Sequence, residues 1–203
     1  MHNKIFCIGL SRTGTTSVHG ILEKLGFKSK HFVGPLLNDD WEVVDRFDAL
    51  GDTPIPLLFK ECDARYPGSK FILTTRDKAD WLESMKWMFR HGRVIWKWPL
   101  FLGHYHQRIY GVNHFDQKVL VRAFDNYHAE VSAYFASRPN DLLEVNIDDG
   151  ICVEEICQFL ETPFRPVKVP RSNTRTKATP WQFVIYYASH YVITPLNALL
   201  RKL

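Results

Sequence analysis

The sequence predicts an α/β fold, three layers deep, with a central and mainly parallel sheet flanked by helices. Three observations predict it. Ile5–Ile8 is a short continuous apolar run, the pattern of a strand buried on both faces. It runs straight into a glycine-bearing segment, Gly9-Leu10-Ser11-Arg12-Thr13-Gly14-Thr15-Thr16, after which Val18, Ile21, Leu22 and Leu25 recur at helical spacing. Strand-like and helix-like stretches then alternate along the chain, as they do around parallel sheets.

The elements follow in order. The first helix is closed by Gly26. A second strand is expected near His31–Val33 and a helix over 39–50, broken by Gly51-Asp52-Thr53-Pro54-Ile55-Pro56. A short helix over 57–65 ends at Tyr66-Pro67-Gly68. Phe71-Ile72-Leu73-Thr74-Thr75, apolar and β-branched, is the clearest strand, with Arg76-Asp77 at its carboxyl end and a helix from about Lys78 to Arg90 behind it. A long helix covers about Asp116 to Phe135, a strand Leu142–Val145, and one more helix is marked by Val153, Ile156, Cys157 and Leu160.

Composition bounds the rest. With 203 residues, no internal repeat and no linker, the chain reads as a single domain over 1–203, an α/β body over 1–180 followed by an apolar C-terminal helix over 181–203. Apolar residues at 45% and charged residues at 24% exclude disordered and fibrous classes. The formal charge of +4 is too small and too scattered for a nucleic-acid-binding arm, but it permits an anionic small ligand. Four cysteines form no CxxC pair, and the start lacks the apolar run and cleavage site of a signal peptide. Buried thiols in a reducing, cytoplasmic compartment are the expectation.

Gly9-x-x-x-x-Gly14-Thr15-Thr16 has the glycine spacing of a phosphate-binding loop in the setting such a loop needs, after a buried strand and before a helix. Glycines let the backbone curl until several N–H groups converge, and the helix amino end adds partial positive charge. Thr15 and Thr16 can add hydroxyls. A nucleotide triphosphatase requires lysine after the second glycine, to reach the β- and γ-phosphates; here that position is Thr15, and the one cation of the loop is Arg12. No apolar strand ending in Asp reads as a magnesium anchor. A small-molecule kinase is therefore disfavoured, and a non-catalytic, membrane-associated anion-binding module stays as the other alternative.

The residues Gly9 to Ser17 resemble the 5′-phosphosulfate-binding loop of P-loop-type sulfotransferases that use 3′-phosphoadenosine 5′-phosphosulfate (PAPS). That family carries Lys or Arg two positions before the second glycine, where Arg12 stands. Its second signature, an Arg just after a central strand and a Ser eight residues later in the next helix, is matched by Arg76 and Ser84. Leu142–Asn146 and Phe159–Pro163 are similar to its closing strand and helix, so the resemblance spans about Lys4 to Lys177. It implies a sulfotransferase with Ser11, Arg12, Thr13, Gly14, Thr15 and Thr16 on the sulfated phosphate of PAPS, and Arg76 with Ser84 on the 3′-phosphate. It also implies a basic stretch folding over that phosphate, which points to Arg171, Arg175 or Lys177; the glycine-bearing form of that stretch is absent. Without the family, an arginine at the carboxyl end of a parallel strand faces the ligand crevice and can fork onto a phosphate. A surface Arg–Asp pair and a solvent-facing serine are the plain alternative.

Sulfuryl transfer needs Arg12 as a catalytic group for the leaving phosphate and a base for the acceptor's proton. Asp52 is the first candidate base, because its prolines fix the loop and related sulfotransferases carry an acidic residue or His in this region. A carboxylate of ordinary acidity is a weak base, so the role requires burial; a turn or cap role is the alternative. His31, His104 and His106 are rivals. His104-Tyr105-His106 lacks a third ligand nearby, so no metal is expected. The aromatics between Trp81 and Tyr110 suit either an apolar acceptor pocket or a core. The acceptor is expected to be a small apolar or aromatic hydroxyl or amine compound. The tail from Trp181, interrupted by Gln182, His190, Asn197 and Pro195, is not expected to span a membrane. It is expected to dock on the body or pair with a second copy, in preference to lying on a membrane surface.

Overall fold

The computed structural model of the protein describes residues 4–98, 102–169 and 176–189. Its sheet has five strands, β1 (Ile5–Cys7), β2 (Ser29–His31), β3 (Ala49–Gly51), β4 (Lys70–Thr75) and β5 (Leu142–Asn146), in the order β2-β3-β1-β4-β5. Every pairing is parallel. The expected α/β architecture is therefore the observed one, and all five carboxyl ends emerge along one edge.

Alternation along β1 divides the interior in two. Phe6, with Ile8 just beyond the strand, joins Leu50, Phe71, Leu73 and residues of helices α4 (Lys78–Trp87) and α7 (Gln117–Phe135) on one face. Ile5 and Cys7 join Ala49, Ile72, Val145 and the apolar stripes of α1 (Thr15–Leu25) and α8 (Val153–Phe159) on the other. These are the two helical layers, each fed by the period-2 pattern of the strands. Burial pushes the Cys7 thiol up to about 12, so it behaves as a small apolar side chain. The strand order turns back at β1, which has β3 on one side and β4 on the other. Open parallel sheets bind ligands at the carboxyl ends beside such a point.

Three expectations change. The helix over 39–50 is instead a 3₁₀ turn (Gly34–Asn38), a four-residue helix α2 (Glu42–Asp45) and then β3. Ala-Leu-Gly is too short to carry a strand pattern, and β3 exists because both its neighbours pair with it. The second strand sits at 29–31 rather than 31–33, because Phe32 turns the chain at φ 64°. The helix over 78–90 ends at Trp87 in a π-turn (Met88–Gly92) that leads into α5 (Arg93–Ile95). A 3₁₀ turn (Ile55–Leu58) precedes α3 (Phe59–Arg65).

The remaining helices are α6 (Leu102–Tyr110) and α9 (Pro180–Ala188). α9 falls at the start of the expected C-terminal helix, and its Phe183, Tyr186 and Tyr187 pack with Val94, Ile95 and Ala178. Residues 190–203 lie outside the described residues. Among those described, no helix is long and apolar enough to cross a membrane.

α7 is tied to the sheet by a polar contact as well as by packing. The buried Tyr127 hydroxyl donates to the Ile8 carbonyl at 2.5 Å, at the point where β1 enters the loop. Tyr127→Phe is expected to cost about 1–2 kcal/mol, the usual loss for a buried hydrogen bond, read from the urea unfolding midpoint.

Candidate active site

The loop between β1 and α1 is fixed by its contact with β4. A Cβ on Gly9 would stand 1.8 Å from Thr74 Oγ1 and 2.8 Å from the Thr74 carbonyl, so only glycine lets the chain pass. Thr13, fully buried, donates its hydroxyl to the Leu10 carbonyl at 2.7 Å and meets Thr74 Oγ1 at 2.7 Å. Arg12 (φ 73°) and Gly14 (φ 93°) both take the left-handed conformation that curls the segment into α1. α1 begins at Gly14 with no side-chain cap and no acidic residue in its first turn, so nothing negative occupies the positive end of its dipole.

Ser11 is gripped on both sides. Its amide donates to the Tyr110 hydroxyl at 3.1 Å, and its carbonyl accepts from Trp81 Nε1 at 2.9 Å. Burial raises the Tyr110 phenol far above its ordinary range, so it stays protonated. Arg12 is thereby projected across the loop. Its Nε donates to Ser84 Oγ at 2.9 Å, and its guanidinium lies over the rings of Trp87 (4.9 Å) and Trp96 (5.6 Å). Ser84 is fully buried rather than facing solvent.

Arg76 leaves the carboxyl end of β4 and meets Asp80 and Asp148, each at 3.6 Å. Asp148 Oδ2 also accepts from the Asp77 amide at 2.6 Å, and Asp77 caps α4 by accepting from the Asp80 amide at 3.0 Å. The buried Nε of Arg76 has no hydrogen-bond partner. Of the two residues expected on one phosphate, Ser84 is thus bonded to Arg12 and Arg76 is held by carboxylates.

The rival bases Asp52 and His31 stand together. β2 and β3 pair His31 with Gly51, so Asp52 follows directly beside the imidazole. His31 Nε2 is 3.5 Å from Asp52 Oδ2, 3.3 Å from Thr15 Oγ1 and 3.2 Å from Thr16 Oγ1. Both side chains keep about a fifth of their surface in solvent, at 23% and 20%. His104 is exposed on α6, whereas His106 is buried against Phe89, Trp98 and Tyr110, and burial lowers its pKa to about 4.

The aromatic stretch is core only in part, and its remainder meets a charge. Trp81, Phe89, Tyr105 and Tyr110 are core, while half-buried Trp87 and exposed Trp96 reach the loop arginine. The sequence marked these residues only as a dense cluster; their roles as holders of Ser11 and Arg12 were not legible. Arg171 and Arg175 lie outside the described residues. Lys177 is exposed, and the neighbouring Thr176 carbonyl accepts from Trp87 Nε1 at 2.6 Å, which brings the end of the basic stretch beside the Arg12 stack.

The chain is similar to known proteins over most of its length. The family model described as Sulfotransferase domain matches residues 4–44 and 34–178. The chain is similar to the Ava biosynthesis cluster protein M of Aspergillus versicolor, at 27% identity over 238 residues, covering 88% of this chain and 86% of that protein. Its fold is similar to the crystal structure of a sulfotransferase from Alicyclobacillus acidocaldarius, with a TM-score of 0.54 and 18% identity, covering 99% of this chain and 96% of that one.

Because His106 is buried neutral and binds its proton more weakly folded than unfolded, the unfolded chain takes up a proton first as pH falls. Its contribution to stability is whole above about pH 6.5 and is lost on the way down to about pH 4. At about 1.4 kcal/mol per pKa unit, urea unfolding at pH 7 and pH 4 should show the native chain losing roughly 3 kcal/mol more than His106→Gln.

Proposed function

The chain belongs to the sulfotransferase domain family, and on that premise we propose that it moves a sulfuryl group from PAPS to a hydroxyl or amine of a small, apolar acceptor. The observation that carries this reading is the 2.9 Å contact between Arg12 Nε and Ser84 Oγ, which joins the two sequence signatures at one place above β1 and β4. A glycine loop alone fits many anions. A loop whose cation is tied to a buried serine two turns into the helix after β4 fits a donor with phosphate at both ends.

The roles follow from charge. The acceptor oxygen or nitrogen attacks sulfur in line, and the bond from sulfur to the 5′-phosphate oxygen breaks with its electron pair. Arg12 and the amides at the start of α1 are placed to stabilise the phosphate that leaves. The acceptor's proton goes to the His31–Asp52 pair, with the carboxylate orienting the imidazole and balancing the charge it gains. Arg76 takes the 3′-phosphate; a buried guanidinium nitrogen without a partner is a donor in want of an acceptor. By the family resemblance Arg171, Arg175 or Lys177 would contact the same group, and Lys177 directly follows Thr176, whose carbonyl is anchored on Trp87. ATP chemistry fits less well, because Thr15 stands where a triphosphate-binding lysine would be.

Calorimetry with 3′-phosphoadenosine 5′-phosphate and with ATP and magnesium, beside transfer of labelled sulfate from PAPS to a panel of phenols, alcohols and amines, tests the reading. The adenosine bisphosphate should bind and ATP should not; the reverse result, with no labelled product, sinks it. Arg12→Ala is expected to cut turnover by about 10²–10³-fold. Arg76→Ala should weaken adenosine bisphosphate binding by roughly 10–100-fold, the loss for a charge-assisted contact. Asp52→Asn and His31→Ala should each leave that binding intact and slow transfer by about 10²-fold or more.

A further inference from the structure

Both rings that lie over Arg12 are tied to one late segment of the chain, residues 176–187. Trp87 belongs to α4, and its Nε1 donates to the Thr176 carbonyl at 2.6 Å. Trp96 stands just past α5, edge-on to Trp87 with the ring centres 5.3 Å apart. The two rings close on Gly92, where a Cβ would come to 3.0 Å from Trp96 and 3.1 Å from Trp87.

α5 takes its place from α9 more than from the body. It is three residues long, and its buried Val94 belongs to neither of the two clusters that flank the sheet. Between the π-turn and Trp98, whose ring rests on His106 at 4.8 Å, α5 is covered by Ala178, Phe183, Tyr186 and Tyr187. Apolar packing alone has no direction, so it would leave α9 free to slide. Hydrogen bonds remove that freedom. The Ala178 amide donates to His91 Nδ1 at 3.3 Å, Arg93 donates to the Tyr187 hydroxyl, and the Tyr186 hydroxyl donates to the Trp98 carbonyl at 3.1 Å. Trp96 thus lies between two residues, Arg93 and Trp98, that α9 holds by polar contacts. α9 is itself fixed at its start: the Thr179 hydroxyl accepts from the Gln182 amide, and the Gln182 side chain accepts from the Thr179 amide at 2.8 Å.

We propose that residues 176–187 are a positioning element for Arg12, holding Trp87 directly and Trp96 through α5, so that the guanidinium is fixed beneath both rings. The inference rests on the reading of Arg12 as the cation that meets the sulfated phosphate. Trp96 is 39% exposed, so little besides its own stretch of chain keeps the ring in place. When that ring moves off, the guanidinium loses one of the two rings over it, and ordering the side chain for an anion costs rotamer entropy again.

Titration calorimetry of the full chain with 3′-phosphoadenosine 5′-phosphate is the test. Tyr186→Phe together with Tyr187→Phe keeps the apolar packing and removes both hydroxyls. This pair should weaken binding about fivefold, the scale of one cation–π contact, at an unchanged urea midpoint. In an Arg12→Ala background the same two changes should weaken it by less than about twofold, because the route runs through the arginine. If the midpoint of the paired variant falls, Tyr186→Phe alone, which leaves Arg93 its partner, takes its place with the same expectations. Unchanged binding overturns the proposal. So does a loss of equal size in the Arg12→Ala background, which would place the effect at Lys177 rather than at the loop. Should the native chain not bind the bisphosphate, the functional reading fails, and the positioning is judged by circular dichroism at wavelengths where only tryptophan absorbs. There the tyrosine changes should reproduce the spectral change that Trp96→Phe causes; a spectrum like the native one overturns the proposal by itself.

Discussion

The geometry of the loop depends on how the backbone of one residue, Ser11, is held. Its amide is spent on Tyr110 and its carbonyl on Trp81, two buried side chains that reach it from α6 and α4. Neither contact is local; the partners lie 99 and 70 residues further along the chain. With the peptides on both sides of Ser11 engaged, the next residue has little freedom, and Arg12 takes a left-handed conformation that an L side chain adopts only where its surroundings demand it. A charged side chain on a flexible loop pays rotamer entropy each time it is ordered. Here the Trp87 and Trp96 rings and Ser84 have already ordered it, so the cation is in place before any anion arrives.

The strain at Arg12 has counterparts at the neighbouring strands. Phe32 follows β2 at φ 64° and Asp52 follows β3 at φ 63°. Three of the non-glycine residues with left-handed backbone therefore stand at the carboxyl ends of β1, β2 and β3, along the edge where a parallel sheet binds ligands. Strained backbone is kept where the surrounding contacts over-determine it, and here those contacts are the parallel ladders themselves: Phe32 donates its amide to the Gly51 carbonyl and Val33 to that of Thr53. The same register that bends Phe32 sets His31 beside Asp52.

What could be read from the sequence follows how local each signal is. The apolar run of β1, the glycine spacing, the helical stripe of α1 and the six-residue β4 are all written in consecutive residues, and each was legible. β3 was not, because Ala49-Leu50-Gly51 is a strand only by virtue of two neighbours that approach from elsewhere in the chain. Asp52 and His31 could be named singly as bases, but no spacing rule places residues from two strands side by side; parallel pairing does. His104 and His106 were equivalent as sequence. On α6 two positions apart means opposite sides, so one is exposed while the other is enclosed among rings that include Tyr110. Ser84 could be picked out by its distance from Arg76, yet its partner is Arg12, because α4 returns across the face of the sheet to lie over the loop.

The two side-chain pairs at the edge lie on opposite sides of the loop. His31 and Asp52 belong to β2 and β3, to one side of β1, and touch the first hydroxyls of α1. Ser84, Trp87 and Arg76 belong to β4 and α4, to the other side. A group transferred in line needs the proton acceptor on the side from which attack comes and positive charge on the side to which the electrons go. A strand order that turns back at β1 places the ends of β3 and β4 on its two flanks without any special loop.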